Sequence, residues 1–311
     1  MRVRSLIPLP LALLMPALLA AQAGETVRFK FGWTPGLVAD IATTSSVTTG
    51  TGRPPTAQQF KLRLTTASHP DGIRVQTTAP DAGANPRVNG FDLAAANSAA
   101  ESIVSRDGAY LRLMDTVKTR RMMDSVVNAM TANLAGMPPA ARDKMKSMLS
   151  IAYIEQASRQ AWDQQTRSFL GRTWKTGEEV IDTMRAPHPM SMGAMTLAAQ
   201  RTVLVGVVPC DSAAKPGLRC AHMRRVSTLD PASLRAVMME TMKELAPGMS
   251  ESDLQAALPA IEAVTTTDML LEIETLLVRR VTSTMMQKMA IMGNAQQNET
   301  STTVTYTYTS R

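Results

Sequence analysis

Aromatic side chains are scarce in this chain of 311 residues, where Phe, Trp and Tyr together make up 4%. Nucleic-acid-binding proteins usually show a stripe of Lys and Arg with interleaved aromatics. The formal net charge is +7, but the basic residues are spread, and the closest pairs are Arg120-Arg121, Arg224-Arg225 and Arg279-Arg280. We assign each pair to a solvated face, and nucleic acid is not an expected partner.

The sequence also lacks the motifs of common catalytic and cofactor sites. It contains no Gly-x-Ser-x-Gly elbow, phosphate-binding loop or Gly-x-Gly-x-x-Gly fingerprint. His69, His188 and His222 stand without a second histidine or carboxylate at metal-ligand spacing, so no metal site is expected. The carboxylate pairs Glu178-Glu179 and Glu272-x-Glu274 are interpreted as exposed charges. We therefore expect no cofactor and no enzymatic activity.

Long apolar runs are missing after the first residues, which excludes a membrane-spanning helix of about 20 apolar residues. The chain opens with the cationic stretch Met1–Arg4, followed by the proline-broken apolar run Leu6–Ala20 and the small-residue site Ala21–Ala23. This order is typical of a signal peptide, predicted here at 1–23 and cleaved after Ala23. No cysteine follows that could carry a lipid anchor. We expect a soluble periplasmic or secreted protein whose residues 24–311 form one domain.

Cysteine is limited to Cys210 and Cys220. An even count in an exported chain favours a disulfide. The intervening nine residues contain the turn signal Pro216-Gly217 and fit neither Cys-x-x-Cys nor a zinc-ligand spacing. A structural disulfide that closes a loop between two strands is therefore predicted.

Apolar residues alternate with polar ones over much of the chain, which is typical of strands. Three aromatics with Val27 alternate in Val27–Trp33, and a second alternation follows at residues 60–64. Helical spacing predicts helices over 94–105 and 110–134, and residues 293–298 are predicted to be a turn. The complete prediction is strands over 26–78, helices over 94–170, strands over 173–229, helices over 231–258 and strands over 265–310.

This order predicts an α+β fold, in which α-helices cover a curved, mostly antiparallel β-sheet that is open and barrel-like. Strands lie at both ends of the predicted order, and pairing them would remove exposed edges. Such a sheet would have one apolar face turned towards the helices.

Methionine is abundant, at 23 residues, and its flexible side chain adapts to varied apolar partners. A sheet face opposite methionine-rich helices could hold a lipid tail, whereas the alternative is that these side chains only fill the core. Both interpretations stay open at this point. The candidate ligand-binding residues on the sheet are Phe29, Phe31, Trp33, Phe60, Leu62 and Leu64.

Two segments, Val27–Trp33 and Gly171–Trp174, resemble those of a group of uncharacterised bacterial exported proteins. The organisation also resembles periplasmic lipoprotein carriers of the LolA/LolB-like type, in which an unclosed barrel holds acyl chains against helices. The resemblance implies an apolar or lipid-like ligand between sheet and helices, and carries over no catalytic residue. The alternative is a non-enzymatic structural or interaction protein of the envelope that contacts an envelope protein partner.

Overall fold

The computed structural model of the chain describes residues 24–49, 55–80, 87–88, 91–92, 101–121, 124, 150–187, 195–210, 217–245, 248, 250–291 and 294–309. The predicted signal peptide and its cleavage after Ala23 lie outside these residues. The same is true of His188 and of residues 122, 123 and 125–134 of the predicted helix over 110–134.

Most of the described residues belong to one antiparallel sheet of eleven strands. Two further pairs of very short strands lie apart from it: β1 with β9, and β5 with β6. In chain order, the strands are β1 (Thr26–Val27), β2 (Val38–Thr49), β3 (Thr56–His69), β4 (Gly72–Thr78), β5 (Arg87–Val88), β6 (Phe91–Asp92), β7 (Ser102–Val104), β8 (Tyr110–Leu113), β9 (Trp174–Lys175), β10 (Glu179–Pro187), β11 (Met195–Pro209), β12 (Arg219–Leu229), β13 (Ala260–Glu272), β14 (Val278–Ile291) and β15 (Asn294–Thr309).

The order of strands across the large sheet is β10-β11-β12-β13-β14-β15-β2-β3-β4-β7-β8. Strands from the two ends of the predicted order do pair, since Tyr306 of β15 lies opposite Ile41 of β2. This pairing stands in the middle of the sheet. The outer strands β10 and β8 have no strand partner on their free edges within the described part, and the sheet is open.

Helices are few in the described part of the chain: α1 (Ile151–Trp162), a π-helical turn (Asp163–Arg167), α2 (Pro231–Leu245), α3 (Glu251–Ala257) and a helical stretch at 116–121. Serine side chains cap two of them, because Ser150 accepts from Tyr153 N and Ser250 from Asp253 N. Helix α2 packs against β11 and β13. The fold is thus a mostly antiparallel sheet with few helices, and the covering of the sheet by helices stays a prediction.

Three secondary-structure predictions are wrong in part. Residues 102–104 and 110–113 of the helices predicted over 94–105 and 110–134 form strands β7 and β8, where the β-branched Ile103 and Val104 are fully buried between neighbouring strands. Residues 116–121 of the second predicted helix are helical. The turn predicted over 293–298 is strand from Asn294 onwards, with Asn294 opposite Ile291. This polar run therefore lies inside the β14–β15 ladder.

Alternation along the strands gives the sheet one apolar face. The buried side chains of this face form two clusters, which lie at the β11–β13 side and at the β2–β4 side. The first cluster contains Val27, Phe29, Phe169, Trp174, Leu204, Ala221, Met223, Met269, Leu271 and Leu276. The second cluster contains Ala39, Ile41, Leu62, Leu64, Ile73, Val75 and Val104.

Candidate functional site

The segment Val27–Trp33 runs from the first cluster to the second. Only its first residue belongs to a strand, β1, but the backbone N–H of Lys30 donates to Ile273 O at 3.2 Å and that of Gly32 donates to Thr275 O at 3.1 Å. The predicted alternation is present, since the apolar side chains pack against the clusters while Lys30 stays exposed. The segment is an extended strap at the end of β13.

Three rings gather where this strap ends, and we call Phe31, Trp33 and Trp162 the aromatic cluster. Phe31 and Trp33 are stacked with centroids 5.7 Å apart, and Trp33 meets Trp162 edge to face at 5.3 Å. Trp162 Nε1 donates to Gly108 O at 2.8 Å, which ties α1 to the loop between β7 and β8. Gly108 has φ +89°, and a Cβ there would lie 2.8 Å from the Phe31 ring. Only glycine suits this contact.

The aromatic cluster packs on the second cluster, whose members Leu62 and Leu64 are buried. Phe60 lies on the same side of β3 and is partly buried. The stacked rings of Tyr306 and Tyr308, 6.4 Å apart, pack beside them. The three rings of the aromatic cluster also remain partly exposed. The result is a partly exposed aromatic layer above buried aliphatic side chains.

Five of the six predicted ligand-binding residues therefore come together around the second cluster. Phe29 does not join them, because its ring meets Phe169 at 5.7 Å in the first cluster. Sequence analysis missed Trp162, whose helical position alone gives no sign that it meets the strap. The ligand-binding role of the six residues stays a prediction.

One polar atom of the aromatic cluster has no partner. Trp33 Nε1 is shielded from solvent, yet no atom of the described residues accepts its hydrogen bond. A buried indole N–H usually finds an acceptor, since leaving it unpaired costs about 1–3 kcal/mol. The cluster thus offers a hydrogen-bond donor that the described chain does not use.

A charged side chain, Arg225, also lies on the apolar face, in phase with Met223 of β12. Its guanidinium donates to Gln164 O at 2.9 Å and to Ser168 Oγ at 3.0 Å, and stands 4.9 Å from the Phe169 ring centre. Burial lowers the pKa of Arg225 to about 10. The assignment of Arg224-Arg225 to a solvated face is therefore wrong for Arg225, because adjacent strand residues point to opposite faces.

Glu272 and Arg279 form a buried ion pair, which corrects their assignment to exposed charges. Their side chains are 5% and 12% exposed. Arg279 Nε donates to Glu272 Oε1 at 2.6 Å, and Arg279 stands 4.8 Å from the Tyr308 ring centre. Tyr308 Oη in turn donates to Val278 O at 3.0 Å. Burial is the main factor that raises the pKa of Tyr308, which keeps this phenol protonated.

The face of the large sheet opposite the two clusters is polar and carries an open groove of about 830 Å³, which is lined in part by His222, Arg224 and Asp268. Asp268 Oδ1 lies 2.7 Å from His222 Nε2 and accepts from Arg224 Nε at 2.9 Å. Desolvation opposes ionisation of Asp268, but the hydrogen bonds from Arg224 and His222 outweigh it and lower the pKa of this carboxyl. The groove thus has an internally paired charge network.

The predicted disulfide is confirmed: Cys210 is bonded to Cys220, directly after β11 and within β12. Over the described ranges, no cluster of three or more His, Cys, Asp or Glu side chains could hold a metal ion. None of the helices in these ranges is both long and apolar enough to cross a membrane.

Comparison with known proteins finds no matching family model and no matching curated protein. Among solved structures, the chain is similar to one described as lipid–protein interactions in lipovitellin, with a TM-score of 0.39 and 10% sequence identity. The match covers 88% of this chain and 25% of the lipovitellin chain, so this chain spans about a quarter of that protein's length. Function must therefore be inferred from the residues of this chain.

Proposed function

We propose that this chain is an exported binding protein that holds an apolar or lipid-like ligand on the apolar face of its sheet. The observation that carries the proposal is the aromatic cluster, whose three rings stay partly exposed above buried aliphatic side chains. Large aromatic side chains normally gain stability by full burial. Covering them with a ligand would contribute about 2.5 kcal/mol for each 100 Å² of apolar surface removed from water.

The unpartnered Trp33 Nε1 supports the same location. A ligand with one acceptor near its apolar part would satisfy this donor while it covers the rings. The three grooves of about 830, 450 and 110 Å³ found along the described chain are lined by none of the six predicted residues. The ligand is therefore expected to lie on the ring surface, and to enter by displacing side chains that now contact one another.

Titration of the delipidated protein with an N-phenylnaphthylamine fluorophore, which is neutral and apolar, tests the proposal. Two of the three tryptophans, Trp33 and Trp162, lie in the aromatic cluster, so saturable binding should quench tryptophan emission. Trp33→Phe removes the free indole donor and part of the ring surface, and should weaken binding about three- to tenfold. Mass spectrometry of the organic extract from protein purified in its own host would identify the natural ligand.

Trp174→Phe is the matched control, because Trp174 is 3% exposed in the first cluster and donates to Phe169 O. This variant should bind the fluorophore as the unchanged protein does. Absence of saturable binding would overturn the proposal and leave the envelope-interaction hypothesis. Equal weakening by the two substitutions would show that binding does not occur at the aromatic cluster.

A further inference from the structure

We infer that the ligand is an anionic amphiphile, and that Arg225 binds its negatively charged headgroup. This inference rests on the proposed function and names the chemistry of the ligand. It depends on the position of this cation on the apolar face, on the acceptors around it, and on the contacts that join it to the aromatic cluster.

The acceptors around Arg225 are all neutral. They are Gln164 O, Ser168 Oγ and the amide oxygen of Gln200, in the orientation of that amide that satisfies both groups. No carboxylate of the described residues lies within 4.0 Å of the guanidinium. The acid that acts on it electrostatically is Asp182, which pairs with Arg172 at 3.8 Å. A guanidinium has five N–H donors, and the Gln200 oxygen accepts from both Nε and Nη1, so one donor, on Nη2, remains beyond these three acceptors.

A buried cation without a counter-charge is costly to the folded state. The other arginines nearby are arranged differently: Arg279 is buried with Glu272, and Arg224 holds Asp268 on the polar face. In the Arg224-Arg225 pair, the more exposed Arg224 contacts a carboxylate directly, whereas the more buried Arg225 has only the distant influence of Asp182. This arrangement suits a site that receives its negative charge from a ligand.

Apolar contacts connect Arg225 to the aromatic cluster. The guanidinium lies over the ring of Phe169, which meets Phe29 at 5.7 Å. Phe29 is two residues from Phe31, so the strap leads from the cation to the partly exposed rings. Phe169 and Phe29 are buried, so an acyl chain with its headgroup at Arg225 and its tail on the aromatic cluster would have to displace them. Carboxylate and phosphate headgroups both match a guanidinium.

The groove of about 110 Å³ shares one residue, Gln164, with the surroundings of Arg225. Gln164, whose carbonyl accepts from Arg225, is part of its lining, together with Tyr153 and Ala157 of α1. The groove lies between α1 and the beginning of β11, and Arg225 itself is not part of its lining. It would give room for part of a ligand chain that reaches Gln164.

Calorimetric titration of the delipidated protein with dodecanoate, dodecanol and dodecyltrimethylammonium tests the inference, because these probes share one chain length and differ in charge. The unchanged protein should bind dodecanoate at least tenfold more tightly than the other two. Arg225→Gln should weaken dodecanoate binding about ten- to a hundredfold and leave dodecanol unchanged. Arg225→Lys keeps the charge and should retain part of the preference.

Arg224→Gln is the matched control, because it removes the adjacent arginine from the opposite face and should preserve the preference for dodecanoate. Equal affinity of the unchanged protein for dodecanoate and dodecanol would overturn the inference and leave the proposed function intact. Failure of all three probes would overturn both. Butyrate that binds as tightly as dodecanoate would show a site for free anions, which also contradicts the inference. If Arg225→Gln does not fold, the comparison of the three probes on the unchanged protein still tests whether the site prefers an anionic ligand.

Discussion

Replacing Glu272 with glutamine should lower the free energy of unfolding by about 3–5 kcal/mol, because it leaves a buried guanidinium without its counter-charge. The Glu272 carboxylate accepts from Arg279 Nε at 2.6 Å and from Thr275 Oγ1 at 2.5 Å. Both charged side chains are close to fully buried, at 5% and 12% exposure, so solvent screens the pair weakly. Glutamine keeps the shape and one acceptor, so the charge is the main quantity that changes.

Glu274→Gln is the matched control for this substitution. Its carboxylate pairs with Lys30 Nζ at 2.6 Å, but the two side chains are 66% and 67% exposed. An exposed ion pair contributes about 0–1 kcal/mol. The same chemical change, made two residues along the chain, should therefore have a much smaller effect.

Urea unfolding at neutral pH, followed by circular dichroism with the disulfide intact, measures both variants. The dependence of the unfolding free energy on urea should stay the same, because the variants expose similar surface on unfolding. The double variant Glu272→Gln/Arg279→Met removes both charges and should be more stable than Glu272→Gln alone. If Glu272→Gln loses no more stability than Glu274→Gln, the argument from burial is refuted.

Three further predictions concern other parts of the fold. The Cys210→Ser/Cys220→Ser variant should lose about 2–3 kcal/mol in the same urea assay, and an unchanged midpoint would contradict this. Because the folded pKa of Asp268 is lowered, its stabilisation is present above the unfolded value of about 3.9 and is lost as the pH falls through the folded pKa. Asp268→Asn should therefore show a shallower loss of stability in acid, and identical pH profiles would refute this. Gly108→Ala should cost about 1–2 kcal/mol from its positive φ and should also displace Phe31, with a change in tryptophan emission; a spectrum and stability equal to the unchanged protein would argue against both effects.

Much of the sheet could be predicted because strands bury every second side chain. Tyr306 and Tyr308 on β15 and the alternation at Leu62 and Leu64 on β3 fixed both the strand type and the inward face. The disulfide was equally accessible, since two cysteines on either side of a turn leave one pairing. These features depend on local sequence and need no knowledge of distant contacts.

The short strands β7 and β8 could not be predicted in the same way. Three or four residues contain too little of a period to separate strand from helix, and the surrounding alanines favoured helix. What makes Ser102–Val104 a strand is its pairing with β4, in which Ile73 lies opposite Val104. Such pairing comes from residues distant in sequence and overrides local preference.

The burial of Arg225 could have been predicted from the alternation of side chains along its strand. Arg225 is two residues from Met223, so the alternation of β12 that buries Met223 also turns Arg225 towards the same face. Treating Arg224-Arg225 as one exposed unit hid this difference. A charged residue in phase with core residues is the pattern that would have found the candidate headgroup site. No local pattern predicts that Trp162 meets Trp33, since that contact joins a helix to the distant strap.

The pairing of β15 with β2 has a consequence for how the chain folds. Strands β10 to β15 pair in chain order, with α2 and α3 between β12 and β13, and β2 to β4 pair in chain order as well. Between these two sets, Val38 of β2 lies opposite Thr309 of β15. Closing a loop of this length costs more conformational entropy than forming any of the hairpins. The pairing of β15 with β2 is thus expected to form late. Until it forms, β15 and β2 each present an unpaired strand edge, at which two chains can aggregate.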